Sequence, residues 1–338
     1  MKDGFYILMC NYAKPGFEKK LNYECLLDFK PNEIAKYSLG DNSYKSTRQY
    51  YLLPLLPEQI VTRPETDDKI KSFLCENFPH LNARSEYEFL YYKTFLDSGE
   101  YHPNIYRPFL CYDFIEKQRN LPDRNDLAHI LFEDIHLFDE KEYLSRLNQL
   151  ELLVEELQTI FQVVEPTINN YKTFGHKIRN LIILACTEVD SICKNILLSN
   201  SYKKKERYSM NDYIRLKGVL KLNQYKIDLI RYPEILNISP FIHWEEKEPT
   251  KSLCWYNSYN AIKHDRINNA HLATLENAIN AVCAVVVLLL SQYGSNNDYW
   301  KNKMQHFFYI SQNPDWQYSD LYIPPVWGKD FIEIKYEF

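Results

Sequence analysis

Between residues 139 and 294, apolar positions recur at helical spacing. Asp139 and Glu142 form a D-x-x-E start in which each side chain can satisfy an orphan amide at a helix N-terminus. Leu147, Leu150, Val154, Leu157, Phe161 and Val164 then follow at intervals of three and four, lining one helix face until Pro166 interrupts them. A second helix is predicted over about 167–199, with Ile178, Leu181, Ala185, Val189, Ile192 and Ile196 on one stripe. Ser209 is placed to cap a short third helix through about Leu222. After an irregular stretch containing Pro233, Pro240 and Pro249, Thr250 is placed to cap a fourth through His264. The last helix is expected from Asn269 to Tyr293, with Leu272, Leu275, Ile279, Val282, Val286 and Leu289 in register and Gly294 as its stop. Each apolar stripe must bury itself against another, so 139–294 reads as an all-α helical bundle.

The period changes on either side. Residues 5–9, 23–29 and 50–56, the last ended by Pro54 and Pro57, are short aromatic and aliphatic runs of the kind strands use. Residues 86–96 fit a helix or a strand equally, and 64–68 and 103–108 read as loops. In the tail, Ile332, Ile334, Tyr336 and Phe338 alternate with Glu333, Lys335 and Glu337, the pattern of a half-buried strand. A lone strand cannot stand free, so it is expected to join a sheet in the N-terminal region. The expected class is therefore α+β in three parts. These are a mixed α+β domain over 1–138, the helical bundle over 139–294, and an extension over 295–338 whose strand pairs back.

Composition narrows the classes. At 338 residues, 45% hydrophobic and 25% charged, the chain has room for two or three globular domains and is not disordered. It has only 8 Gly, and neither GxGxxG nor GxxxxGK[ST] occurs, which leaves no nucleotide-binding fingerprint. The 28 Tyr and 18 Phe can stack on bases but more often simply pack. None of the 8 Cys makes a CxxC, and none sits at zinc spacing from another Cys or a His, so neither a metal nor a cofactor is expected. Cys186, Cys193 and Cys283 lie in apolar helical runs, which fits a reducing compartment. The start of the chain makes no signal peptide, and the longest apolar run, 281–290, is half of a membrane span; a cytoplasmic protein with a buried helix there is expected.

Charge is uneven. Residues 1–140 carry 17 Lys+Arg against 23 Asp+Glu, residues 141–294 carry 19 against 16, and the tail 4 against 6. The helical part is thus the basic one. Its densest cluster is Lys203-Lys204-Lys205-Glu206-Arg207, followed by Arg215, Lys217, Lys221 and Lys226. Such a cluster can serve phosphate backbones, or be a solvated loop and helix face.

The fourth helix holds the one candidate for chemistry. It reads Trp255-Tyr256-Asn257-Ser258-Tyr259-Asn260-Ala261-Ile262-Lys263-His264, followed by Asp265-Arg266. Asn260 and His264 are four apart and share a face, so an amide and an imidazole can converge on one ligand. His264 sits near the helix C-terminus, where the dipole favours a cationic side chain. An imidazole there can exchange a proton with a ribose hydroxyl.

The run Tyr259-Asn260-x-x-x-His264, late in a helical region and followed by a long apolar helix, resembles the motif of the HEPN superfamily. In that motif Arg, then a polar residue and three more residues, precede His. The helix containing Arg179-Asn180 and Thr187-Glu188-Val189-Asp190 is similar to the earlier long helix of such proteins, and the resemblance covers about 165–293. It implies a metal-independent endoribonuclease or a relative of one, often a toxin or antiviral effector, working on RNA as a homodimer through the helical domain. Carried over, His264 is the catalytic histidine and Asn260 the polar position. Tyr259 stands where the motif has Arg, and tyrosine carries no fixed positive charge. Lys263, Arg266 or Arg179 would have to supply it, and Arg266 can do so only where the helix ends at His264. Lys203, Lys204, Lys205, Arg207 and Lys263 are the expected RNA contacts.

The rival reading is a non-catalytic scaffold or binding module of the same fold, in which Asn260 and His264 form a buried hydrogen-bonded pair. Elsewhere, His102, His129 and His136 lie in the acidic N-terminal part. Asp126, His129 and Glu133 are about one turn apart there, a spacing that suits a metal or an exposed helix face.

Overall fold

The computed structural model describes Leu96 and residues 99–109, 137–316, 320–322 and 330–338 with their side chains, and five N-terminal strands as backbone. The chain is α+β and divides into two compact units. One comprises Met1–Tyr101, Arg107–Ile135 and Trp316–Ile334; the other comprises His102–Tyr106, His136–Asp315 and Lys335–Phe338.

The first unit contains β1 (Gly4–Tyr12), β2 (Lys20–Lys30), β3 (Glu33–Ser38), β4 (Arg48–Pro54) and β5 (Tyr87–Phe89). They form one antiparallel sheet in the order β4-β1-β2-β3-β5, with a register shift between Leu8 and Met9. Of the ambiguous run 86–96, residues 87–89 are thus strand. A separate pair joins β6 (Glu100–Tyr101) in parallel to a strand of the tail, Ile332–Glu333. The tail strand is far shorter than its alternation suggests, and Ile332 is 53% exposed. After two bonds to the Gly99 and Tyr101 carbonyls, the backbone leaves the sheet, and from Lys335 it belongs to the second unit.

The second unit is built on α1 (Glu140–Phe161) and α2 (His176–Ser199), followed by the one-turn helices α3 (Met210–Tyr213) and α4 (Leu216–Val219). After the prolines come α5 (Cys254–His264), α6 (Leu275–Tyr293) and α7 (Asp298–Lys303). Asp139 caps α1 by accepting from the Lys141 and Glu142 amides, but Glu142 does not reach back. Its carboxylate instead accepts from Arg146 Nε at 3.0 Å and from Asn195 Nδ2 at 2.6 Å, tying α1 to α2. The second helix starts nine residues later than its pattern suggests. Residues 171–174 are needed elsewhere: the Thr173 and Tyr171 carbonyls accept from Leu275 and Glu276, satisfying two orphan amides at the start of α6. Thr274 caps that helix, so it begins at Leu275 rather than Asn269.

Helix α6 is the buried helix expected over 281–290, and its burial extends beyond one stripe. From Ala281 to Tyr293 every residue is buried, because α1, α2 and α5 all pack against this helix. By length and composition α6 could cross a bilayer, and 83% of its most apolar window is buried among the other helices. The second unit is also not all-α. Residues Lys226–Leu229 (β7) pair antiparallel with Phe308–Gln312 (β8) in a two-stranded sheet. Ile227 and Leu229 are buried while Lys226 and Asp228 face out, so half of β7 belongs to the core. The segment 295–315 is part of this unit and not an extension. Asn297 caps α7 and accepts the buried Tyr143 hydroxyl at 3.1 Å; burial pushes that hydroxyl up to about 12.

Candidate functional site

Helix α5 has two unlike sides. Trp255, Tyr256, Ser258, Tyr259 and Ile262 are buried, and the Trp255 indole donates to the Pro240 carbonyl at 2.8 Å. Asn260 is half-buried, while Lys263 and His264 are exposed. The helix ends at His264. The Asp265 carboxylate accepts both the backbone and side-chain amides of Asn268, at 3.1 and 2.6 Å, which hold its carboxyl below the usual carboxylate range. Asn269 Nδ2 closes the turn on the Ala261 carbonyl at 3.0 Å. The chain therefore turns away at once, leaving Arg266 exposed and Ile267 82% exposed. The buried Asn260–His264 pair is corrected. The imidazole lies on the surface, and among the described residues no hydrogen bond joins it to the Asn260 amide.

Beneath this exposed side runs a line of polar contacts. The Tyr256 hydroxyl donates to Asp190 of α2 at 2.7 Å. Tyr256 meets Tyr259 edge-on at 5.4 Å, and the Lys263 ammonium lies 5.2 Å from the Tyr259 ring centroid and donates to its hydroxyl at 3.3 Å. Burial raises the Asp190 carboxyl above its ordinary value; the Tyr256 hydrogen bond and the Lys263 charge offset part of that rise. The Tyr256 hydroxyl is pushed far up by burial and by Asp190, so it remains a donor. Tyr259 itself is 4% exposed. Of the other two cations proposed for its place, Arg179 donates to its neighbour Asn180 at 3.0 Å, and Arg266 stands past the helix end. Glu188, near Asp190 in sequence, is tied to Arg146 at 2.9 Å and faces α1.

The basic stretch is not uniform. Lys203, Lys204 and Arg207 are exposed. Lys205 pairs with the buried Asp212, while Lys217 donates to the Trp244 carbonyl and Lys221 to that of Asp315. Burial would raise the Asp212 carboxyl, but Lys205, the Ser209 amide and the Tyr202 hydroxyl together hold it below the usual range. Arg215 and Lys205 both lie 5.7 Å from the Tyr202 ring centroid. Spacing along the chain does not reveal the Asp190–Tyr256 contact, because its partners are 66 residues apart. Residues 126, 129, 133 and 136, the spaced acids and histidines, lie outside the described residues; His102 packs edge-on against Tyr336 at 5.1 Å.

No family model, no curated protein and no solved structure matches this chain.

Proposed function

We propose that the second unit is a HEPN-like module that cuts RNA without a metal, with His264 as its proton-transfer group and a second copy of the chain as its partner. The observation that supports this most is the placement of His264. It is exposed on the last residue of α5, with the exposed cations Lys263 and Arg266 on either side in sequence. In the proposed reaction His264 takes the proton of a ribose 2′-hydroxyl. That oxygen attacks the adjacent phosphorus, the bond to the 5′ oxygen breaks, and a proton is returned to the leaving oxygen. The charge that grows on the phosphate needs a cation, and Lys263, steadied by Tyr259, is the one the local contacts favour. Asn260, half-buried one turn before His264, would orient the scissile group. As a toxin-like or defence nuclease, such a module would act in the cytoplasm.

The test is incubation of the purified chain with total RNA in EDTA, beside His264→Ala. Cleavage by the native chain alone supports the reading; equal activity in both, or none in either, removes it.

A second reading has one observation in its favour. Tyr259, buried and uncharged, occupies the position where the resembled motif has Arg. A non-catalytic RNA-binding module would keep the fold and lose that charge. It is distinguished by tight RNA binding without strand scission.

A further inference from the structure

Five aromatic rings from three separate segments form a continuous row in the second unit. His102 meets Tyr336 at 5.1 Å, Tyr336 meets Phe338 at 4.9 Å, Phe338 meets Tyr202 at 6.1 Å, and Tyr202 meets Tyr208 at 6.4 Å. All five are only half-buried. At one end of the row the rings carry cations: Lys205 and Arg215 over Tyr202, and Lys194 at 5.9 Å over Tyr208. Lys203, Lys204 and Arg207 lie exposed on the same loop as the two tyrosines. Among the described residues, of these six cations only Lys205 is in an ion pair.

Packing alone accounts for part of this, since Tyr202, Tyr208, Tyr336 and Phe338 rest against the core. It does not account for six cations gathered at the end of a half-exposed row with a single carboxylate paired among them. Cations outside ion pairs, beside half-exposed rings and outnumbering the one loop carboxylate Glu206, are the two components a single-stranded polynucleotide needs, charge for its phosphates and flat faces for its unpaired bases. A duplex hides its bases and uses only the charge.

We infer that this row is a binding surface for single-stranded RNA, with Lys203, Lys204 and Arg207 on the phosphates and Tyr208, Tyr336 and Phe338 offering faces to the bases. The inference rests on the RNA reading above only for the kind of ligand, and it does not involve His264. Lys194, Lys205 and Arg215, held against tyrosine rings, are positioned cations rather than freely moving ones, which lowers the entropy cost of meeting a phosphate.

The experiment measures fluorescence anisotropy of a labelled 2′-O-methyl oligouridylate, which has no attacking hydroxyl, on the full chain across a salt series. A duplex of equal length serves as competitor. The native chain should bind, with the single strand preferred. A combined Lys203→Glu, Lys204→Glu, Arg207→Glu variant should keep its melting temperature and bind at least tenfold more weakly, with a salt slope lower by about 2. Tyr336→Leu should weaken binding roughly tenfold. Absence of binding at low salt, native affinity in the triple variant, or equal affinity for the duplex would each overturn the inference. Binding without any cleavage of ordinary RNA would sink the nuclease reading and leave this one standing; cleavage with native affinity in the triple variant would do the reverse.

Discussion

The Tyr256 hydroxyl donates to the Asp190 carboxylate at 2.7 Å, across the seam between α5 and α2. This contact is a polar anchor to α2 on a buried side that, apart from Ser258, is apolar or aromatic, and it helps fix which way the opposite side, with Lys263 and His264, faces. The carboxylate is half-buried, and burial outweighs the tyrosine and the lysine, leaving the carboxyl above its ordinary value.

That balance has a sign that can be measured. The folded-state carboxyl of Asp190 is raised, so its contribution to stability is fully present below the unfolded value, about pH 4, and is lost as pH rises through the folded value. Asp190→Asn keeps an oxygen to accept from Tyr256 and removes the buried charge. The variant should therefore melt higher than the native chain at pH 7, with the advantage shrinking toward pH 4. Identical melting temperatures across that range would show that burial does not dominate at Asp190. Tyr256→Phe, which strips the carboxylate of its donor, should cost about 1.5–3 kcal/mol at pH 7.

Lys263 separates a chemical role from a structural one. Among the described residues its ammonium donates a hydrogen bond only to the Tyr259 hydroxyl, beside the Tyr259 ring, its charge also acts on Asp190, and its side chain is otherwise exposed. Lys263→Met should leave the melting temperature within the range of surface changes, about 0.5 kcal/mol. If the nuclease reading holds, it should slow RNA cleavage about a hundredfold, whereas Arg266→Met should slow it less. His264→Ala should likewise leave stability unchanged, since the ring is exposed. Cleavage assays on all three variants, beside thermal melts, check both halves.

Gly294 ends α6 with φ +69° and ψ 178°, a backbone region open almost only to glycine. A Cβ there would also lie 2.5 Å from the Tyr106 ring. Tyr106 is held in place by its amide, which donates to Ser291 O at 2.9 Å. Gly294→Ala should destabilise the second unit by about 1–3 kcal/mol from the backbone alone. Adding Tyr106→Ala relieves the clash but not that cost, so chemical denaturation of the pair should show only partial recovery relative to Tyr106→Ala itself.

The long helices were legible because their apolar residues repeat at the helical period over about four to five turns, as Leu147 to Phe161 and Ile178 to Ile196 do. The exposure of His264 was not legible, since the spacing in α5 fits an open imidazole and a buried Asn260–His264 pair alike. Nor were features that depend on distant partners. β7 is four residues long and exists because Phe308–Gln312 returns beside it. The start of α2 shifts because Tyr171 and Thr173 serve α6. The aromatic row joins residues 102, 202, 208, 336 and 338, and no local period connects them. The alternation of the tail was real, but Tyr336 and Phe338 spend it on aromatic packing against the second unit rather than on strand pairing.

Asn200 shows how one buried amide can hold three pieces of chain. It follows the last turn of α2 and is 3% exposed. Its Nδ2 donates to the Pro103 carbonyl at 2.8 Å and to the Ile196 carbonyl at 3.0 Å, while its Oδ1 accepts the Tyr336 amide at 2.9 Å. Within the second unit, the segments 102–106 and 335–338 thus meet the end of α2 at the same side chain. Asn200→Ala strips the Tyr336 amide and the Pro103 carbonyl of a shared partner, and a half-buried and a buried polar group left unpaired cost about 1–3 kcal/mol each. Asn200→Asp retains the acceptor for Tyr336, but when ionised it faces the Pro103 and Ile196 carbonyls with a buried charge, so it should be at least as destabilising as Asn200→Ala above its titration and closer to native below it. Both variants should release the C-terminal residues to carboxypeptidase faster than the native chain does. Since Phe338 packs on Tyr202, loosening the tail should also weaken binding of the single-stranded probe. A native digestion rate in Asn200→Ala would show that the aromatic contacts hold the tail without the amide.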